Sequence, residues 1–124
     1  MTTKTIITEL KRGDFNILLT KNTGIIIIKF SAKWCGPCKK IEDIVNNFFS
    51  ISPHNVLCCD LDIDANADLY SYFKFKQMVN GIPVMLCFAK DNLSFVPNES
   101  FSGINLKELD NFFKACNKQL QDIK

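Results

Sequence analysis

Arginine is almost missing from this chain of 124 residues: Arg12 stands alone, and His54 is its one histidine. The formal net charge is only +2, and no basic run is longer than the two residues of Lys39-Lys40. Without a basic patch or stripe there is no electrostatic footprint for nucleic acid, and none is expected as a partner. No apolar run approaches the ~20 residues that span a bilayer, so no membrane partner is expected either. The start, "MTTKTIITELK", lacks the apolar stretch of a secretory signal, which makes a cytoplasmic, intracellular setting the expectation. The single histidine also argues against zinc. Cys58 and Cys59 are directly adjacent and lack the spacing of a second ligand pair, so no metal is expected.

What is present is ordinary for a globular protein: 47% hydrophobic and 23% charged residues. The length fits one domain spanning residues 1–124, able to bury roughly two-thirds of its unfolded surface. Six cysteines could form a disulfide framework, but such scaffolds are usually secreted and have little core. Cys58, Cys59, Cys87 and Cys116 fall in apolar strands or a terminal helix and read as small buried hydrophobes.

Along the chain, "KTIITEL" reads as a short strand. "GDFNILLTK" reads as a helix with Asp14 as its N-cap. Ile25 to Phe30 form the continuous apolar run of a central strand, interrupted by Lys29. "PCKKIEDIVNNFFS" follows as a helix with Ile41, Ile44, Val45 and Phe48 as its buried stripe. "VLCCDLDID" is the next strand, "ADLYSYFKFKQMV" a helix, and "IPVMLCFAK" a strand. A short strand ends near "SFSG", and "NLKELDNFFKACNKQL" closes the chain with Leu106, Leu109, Phe112, Phe113 and Cys116 facing inward. Alternating strands and helices predict an α/β fold, a sheet covered on both faces.

The chemistry sits where the apolar strand hands over to a helix, in Cys35-Gly36-Pro37-Cys38. A cysteine at a helix N-terminus meets free N–H groups and the positive end of the dipole, which favour its thiolate. The thiolate is the nucleophile of thiol–disulfide exchange. Cys38, one turn further in, is placed to attack the mixed disulfide that Cys35 would form. A purely structural bridge closing so short a loop would stabilise little. A redox pair is the better reading.

"WCGPCK" (Trp34 to Lys39) after a strand, then "DLDID", "GIP" and the late Gly103, resembles the thioredoxin family in motif and order. The resemblance runs over nearly the whole chain. It implies the thioredoxin fold, a central mixed sheet of four to five strands with helices on both faces. It implies Cys35 as the attacking and Cys38 as the resolving cysteine, with Trp34, Gly36 and Pro37 as the rim around an exposed sulfur. Ile82-Pro83 match the loop whose proline is cis in the family, leaving the Ile82 backbone open to an extended substrate strand. Gly103 matches a small residue flanking the same groove. No cofactor is implied. Partners would be disulfide-containing protein substrates and an NADPH-linked thioredoxin reductase or equivalent electron donor, and a monomer is expected.

The departures are informative. Lys29 occupies the position where family members typically carry a buried aspartate beneath the resolving cysteine. Asp60 stands where many carry a lysine or glutamate, so the reading is a reversed ion pair, with Lys29 extending along its stem to water as the alternative. Asp43 replaces a helix-kinking proline. The stretches 65–82 and 91–102 are longer than usual. The expected function is reduction of protein disulfides. A redox-shifted oxidase or isomerase is the alternative, as is a binding or subunit module in which redox activity is incidental.

Overall fold

The computed structural model describes residues 4–123. Its elements run β1 (Ile6–Ile7), α1 (Arg12–Lys21), β2 (Ile25–Ser31), α2 (Gly36–Ile51), β3 (Val56–Asp62), α3 (Ala67–Phe75), β4 (Val84–Ala89), β5 (Glu99–Ser102) and α4 (Leu106–Gln121). One five-stranded sheet has the order β1-β3-β2-β4-β5. β3 is parallel to β1 and β2, whereas β4 is antiparallel to both β2 and β5. The mixed α/β sheet expected from the sequence is present.

Side chains alternate across a strand, so the isoleucine run of β2 feeds two separate cores. Ile26, Ile28 and Phe30 pack with Phe15 and Leu19 of α1 and with Leu69 and Phe73 of α3. Ile25 and Ile27 pack on the opposite face with Ile41, Val45 and Phe49 of α2 and with Leu109 and Phe112 of α4. Phe15 stands edge-on to both Phe73 and Phe88, at centroid distances of 5.2 and 5.0 Å. Each such pair adds about 0.5–1.5 kcal/mol beyond area burial. By the same alternation Lys29 shares the face of Ile25 and Ile27. It therefore lies on the side covered by α2, close to that helix's start.

Several local expectations are corrected. Asp14 lies in the first turn of α1, where it suits the positive helix end, but Lys11 is the N-cap residue. The paired part of β1 is only Ile6–Ile7. Ile44 and Leu106 are exposed; Ile41 and Val45 are buried as expected, and Phe49 completes the stripe of α2 one turn after Val45. Phe48 is half-buried and stacks on Phe113 at 3.9 Å. α2 runs unbroken through Asp43 as far as Ile51.

The third helix stops earlier than its apolar pattern predicts. The N–H of Gln77 donates to Lys74 and that of Met78 to Phe73, at 3.0 and 2.9 Å. Gln77 takes a φ of 62°. These two bonds with a left-handed residue between them form a Schellman ending, here with glutamine where glycine is usual. The chain then turns back through Asn80 and Gly81 towards β4.

Candidate functional site

Cys35 is the N-cap of α2, and its Sγ accepts the backbone N–H of Cys38 at 3.2 Å. The first N–H groups of a helix have no internal acceptor, so a sulfur takes the place that a serine or aspartate oxygen usually fills. Pro37 falls in the first turn, where its missing N–H leaves nothing unsatisfied. The preceding turn is closed by the Cys35 N–H donating to Ala32 C=O at 3.1 Å. Cys35 and Cys38 are joined as a disulfide with Cα atoms 5.4 Å apart.

The pair is less open than the sequence predicts. Cys35 is 5% and Cys38 4% exposed, packed with Ala32 and against Ile63 and Ile82. The expectation of an exposed Cys35 sulfur does not hold for the disulfide-bonded pair, which lies under these neighbours. Trp34 is 68% exposed, and Gly36 and Pro37 are exposed beside it. The indole N–H of Trp34 donates to Asp64 Oδ2 at 2.8 Å. Asp62 accepts from Lys33 N–H at 3.2 Å through one oxygen and from Asp64 N–H at 2.8 Å through the other. Thus two carboxylates, Asp62 at the end of β3 and Asp64 just beyond it, hold the loop that carries the cysteines. Sequence reasoning passed over both, although the alternation of "DLDID" was a signal that those acids share a side.

Lys29 and Asp60 are direct register partners on β2 and β3. Lys29 Nζ lies 3.7 Å from Asp60 Oδ1, with the lysine 3% and the aspartate 34% exposed. Burial on this scale keeps the lysine's stem inside the protein, with its ammonium turned to Asp60 and not extended to the surface. Both residues line a groove of about 720 Å³ that also includes Cys38, Lys39, Glu42 and Asp62. An ammonium in that groove favours an anion nearby, and a Cys38 thiolate is such an anion.

The Ile82–Pro83 bond is cis. Ile82 packs on the cysteine pair, and its own N–H and C=O make no hydrogen bond among the described residues. The flanking backbone is tied on both sides. Gly103, at φ 103°, donates its N–H to Pro83 C=O at 3.1 Å. The Tyr70 hydroxyl donates to Gly81 C=O at 3.0 Å and accepts from Gly81 N–H at 3.1 Å.

The remaining cysteines lie apart from this chemistry. Cys58, Cys59, Cys87 and Cys116 are free and fully buried, as expected. Burial pushes the Cys59 thiol up to about 12, with Cys58 beside it adding to the rise. A hydrogen bond that the Cys116 thiol donates to Cys87, then burial, raises Cys116 as well. Among the described residues no cluster of His, Cys, Asp and Glu could hold a metal, and no helix is long and apolar enough to cross a membrane.

The Thioredoxin family model matches residues 6–115. This chain belongs to the thioredoxin family. The thioredoxin of Chlamydia trachomatis is 31% identical over 99 residues, covering 77% of this chain and 83% of that protein. Protein disulfide-isomerase like 2-2 of Arabidopsis thaliana is 33% identical over 91 residues, which is 73% of this chain but 20% of that protein. Among solved structures, Fasciola hepatica thioredoxin superposes with a TM-score of 0.67 at 26% identity, covering 89% of this chain and 96% of that one. Membership in this family together with a close cysteine pair points to thiol–disulfide oxidoreduction.

Proposed function

We propose that this chain is a single-domain protein-disulfide reductase working through the Cys35/Cys38 dithiol. The observation that carries this reading is the Cys35 sulfur at the N-terminus of α2, accepting the Cys38 N–H. In the reduced protein that N–H and the helix dipole favour a Cys35 thiolate. The thiolate attacks one sulfur of a substrate disulfide, and the S–S bond breaks as the Cys35–substrate bond forms. The departing substrate sulfur takes up a proton. Cys38, as thiolate, then attacks Cys35 Sγ and releases the second substrate thiol. Two electrons have passed to the substrate, and the chain is left with the Cys35–Cys38 disulfide.

In this reading Trp34, Gly36 and Pro37 form the rim met by the substrate, and the free backbone of Ile82 pairs with an extended substrate segment beside Pro83 and Gly103. Lys29 and Asp60 support Cys38 from below, the cation favouring its thiolate and Asp60 accepting its proton. A thioredoxin reductase or equivalent donor restores the dithiol, the setting is cytoplasmic, and the protein acts as a monomer. The buried Lys29 also supports a second reading, an oxidase or isomerase poise. The Arabidopsis disulfide-isomerase relative is consistent with that alternative.

Reduction of insulin disulfides in the presence of dithiothreitol tests the proposal. The wild-type chain should accelerate precipitation of the insulin B chain, and Cys35→Ser should fall to the uncatalysed rate. Equal rates for the two proteins would remove the catalytic claim.

A further inference from the structure

We infer that Tyr70 is a positioning residue for protein substrates, acting through the Gly81 backbone on the loop that presents Ile82. The inference rests on the disulfide-reductase reading above and adds a residue to it. One phenolic oxygen spans a whole peptide residue, donating to Gly81 C=O at 3.0 Å and accepting from Gly81 N–H at 3.1 Å. Gly81 sits at φ 97°, a conformation that glycine adopts freely and that leaves its backbone groups pointing out of the sheet ladder. Without the phenol those two groups, next to Ile82, would have only water.

The tyrosine is itself held at its root. Its ring stands edge-on to Phe30, with centroids 5.2 Å apart, and Phe30 is the fully buried register partner of Val84, the residue following Pro83. The start of α3 is fixed too. The buried Asn66 side chain accepts from Leu10 N–H at 2.8 Å and donates to the carbonyls of Thr8 and Asp62 at 3.1 and 3.0 Å. The phenol is thus the tip of a rigid arm. It grips one side of Ile82–Pro83, while the Gly103 N–H grips the other through Pro83 C=O. Between the two tethers Ile82 keeps its own N–H and C=O unpaired and its side chain on the cysteine pair.

The consequence is a division of labour. A polypeptide substrate that pairs with Ile82 needs that backbone held still before it arrives, since ordering it on binding would weaken affinity. A small disulfide reaching only the sulfurs does not use it. The Tyr70 hydroxyl should therefore matter for extended substrates and not for the exchange step itself.

Tyr70→Phe keeps the ring on Phe30 and removes the hydroxyl. Tyr72→Phe, a neighbouring phenol with no hydrogen bond to Gly81, is the control. Three readouts apply: KM and kcat for a disulfide-bonded peptide, the rate with bis(2-hydroxyethyl) disulfide, and hydrogen exchange at the Gly81 amide. For Tyr70→Phe the peptide KM should rise about three- to tenfold with kcat unchanged, since water replaces much of what the two lost hydrogen bonds gave. The small-disulfide rate should stay within about twofold, and Gly81 exchange should quicken about tenfold. Tyr72→Phe should change none of these. An unchanged peptide KM, or equal losses with both disulfides, overturns the positioning role. A wild-type chain that reduces neither substrate overturns the reductase reading and the inference with it, a failure already visible without any variant.

Discussion

Lys29 and Asp60 face each other across β2 and β3, 3.7 Å apart, the lysine almost wholly buried and the aspartate a third exposed. That asymmetry decides what each substitution does. Asp60→Asn strands an ammonium that is 3% exposed, whereas Lys29→Met leaves a carboxylate that is a third exposed and can hydrate. Breaking a buried pair from one side is strongly destabilising, and replacing the buried charge with a hydrophobe of similar volume is often neutral or better. With a discount for the partial exposure of Asp60, Asp60→Asn should cost about 1–3 kcal/mol, and Lys29→Met about zero. Urea denaturation of the two variants checks this; equal losses would mean the pair is energetically symmetric.

The same pair bears on redox poise. A cation sharing the groove with Cys38 favours the thiolate and so the reduced dithiol. The double variant Lys29→Asp with Asp60→Asn removes the cation without crowding two carboxylates. Its reduction potential should become more negative by about 30–60 mV, given that 30 mV corresponds to about 1.4 kcal/mol for a two-electron couple. Redox titration against glutathione measures it. A potential that stays in place would show that Lys29 does not act on the cysteines.

The buried thiols make stability sensitive to alkali. Cys59 is raised from an ordinary 9.0 to about 12 by burial, with Cys58 adding to the rise. Above pH 9 the unfolded chain loses this proton while the folded chain keeps it, so the unfolded state binds fewer protons and stability falls as pH rises. The loss runs from about pH 9 to about pH 12, at up to ~1.4 kcal/mol per pH unit for this one thiol. Cys59→Val should show a shallower alkaline slope in urea denaturation at pH 8 to 11. Parallel slopes would place the loss elsewhere.

Gln77 ends α3 with a φ of 62°, a left-handed conformation unfavourable for a residue with a Cβ. Gln77→Gly relieves that strain, offset in part by the greater freedom glycine gives the unfolded chain. The net expectation is a gain of about 0.3–1 kcal/mol, read from the shift in urea midpoint. Destabilisation instead would mean that the glutamine side chain contributes more than its backbone loses.

The sequence was most readable where one strong local signal decides the structure. The apolar run Ile25 to Phe30, the start of α2 at the cysteine motif and the late amphipathic helix are all placed as the pattern implies. The phase of that pattern was less secure: Ile44 and Leu106 lie exposed, because a helix's exact rotation depends on what it packs against. The end of α3 was hidden because its apolar spacing continues to Val79, and nothing in "FKFKQ" marks Gln77 as left-handed. The contacts of Asp62, Asp64 and Tyr70 were invisible for a different reason. Apart from the local bond between Asp64 N–H and Asp62, they join segments 11 to 30 residues apart through a side-chain atom, and only the fold brings those atoms together.

The central claim is that Cys35 attacks and Cys38 resolves, and mass spectrometry of trapped intermediates tests it most directly. Wild type, Cys35→Ser and Cys38→Ser are each reduced, desalted and mixed with a peptide disulfide. Cys38→Ser should accumulate an adduct heavier by one peptide half and mapping to Cys35, wild type should pass rapidly to its internal disulfide, and Cys35→Ser should stay unmodified. An adduct forming as readily on Cys35→Ser as on Cys38→Ser, or on neither, would contradict the account.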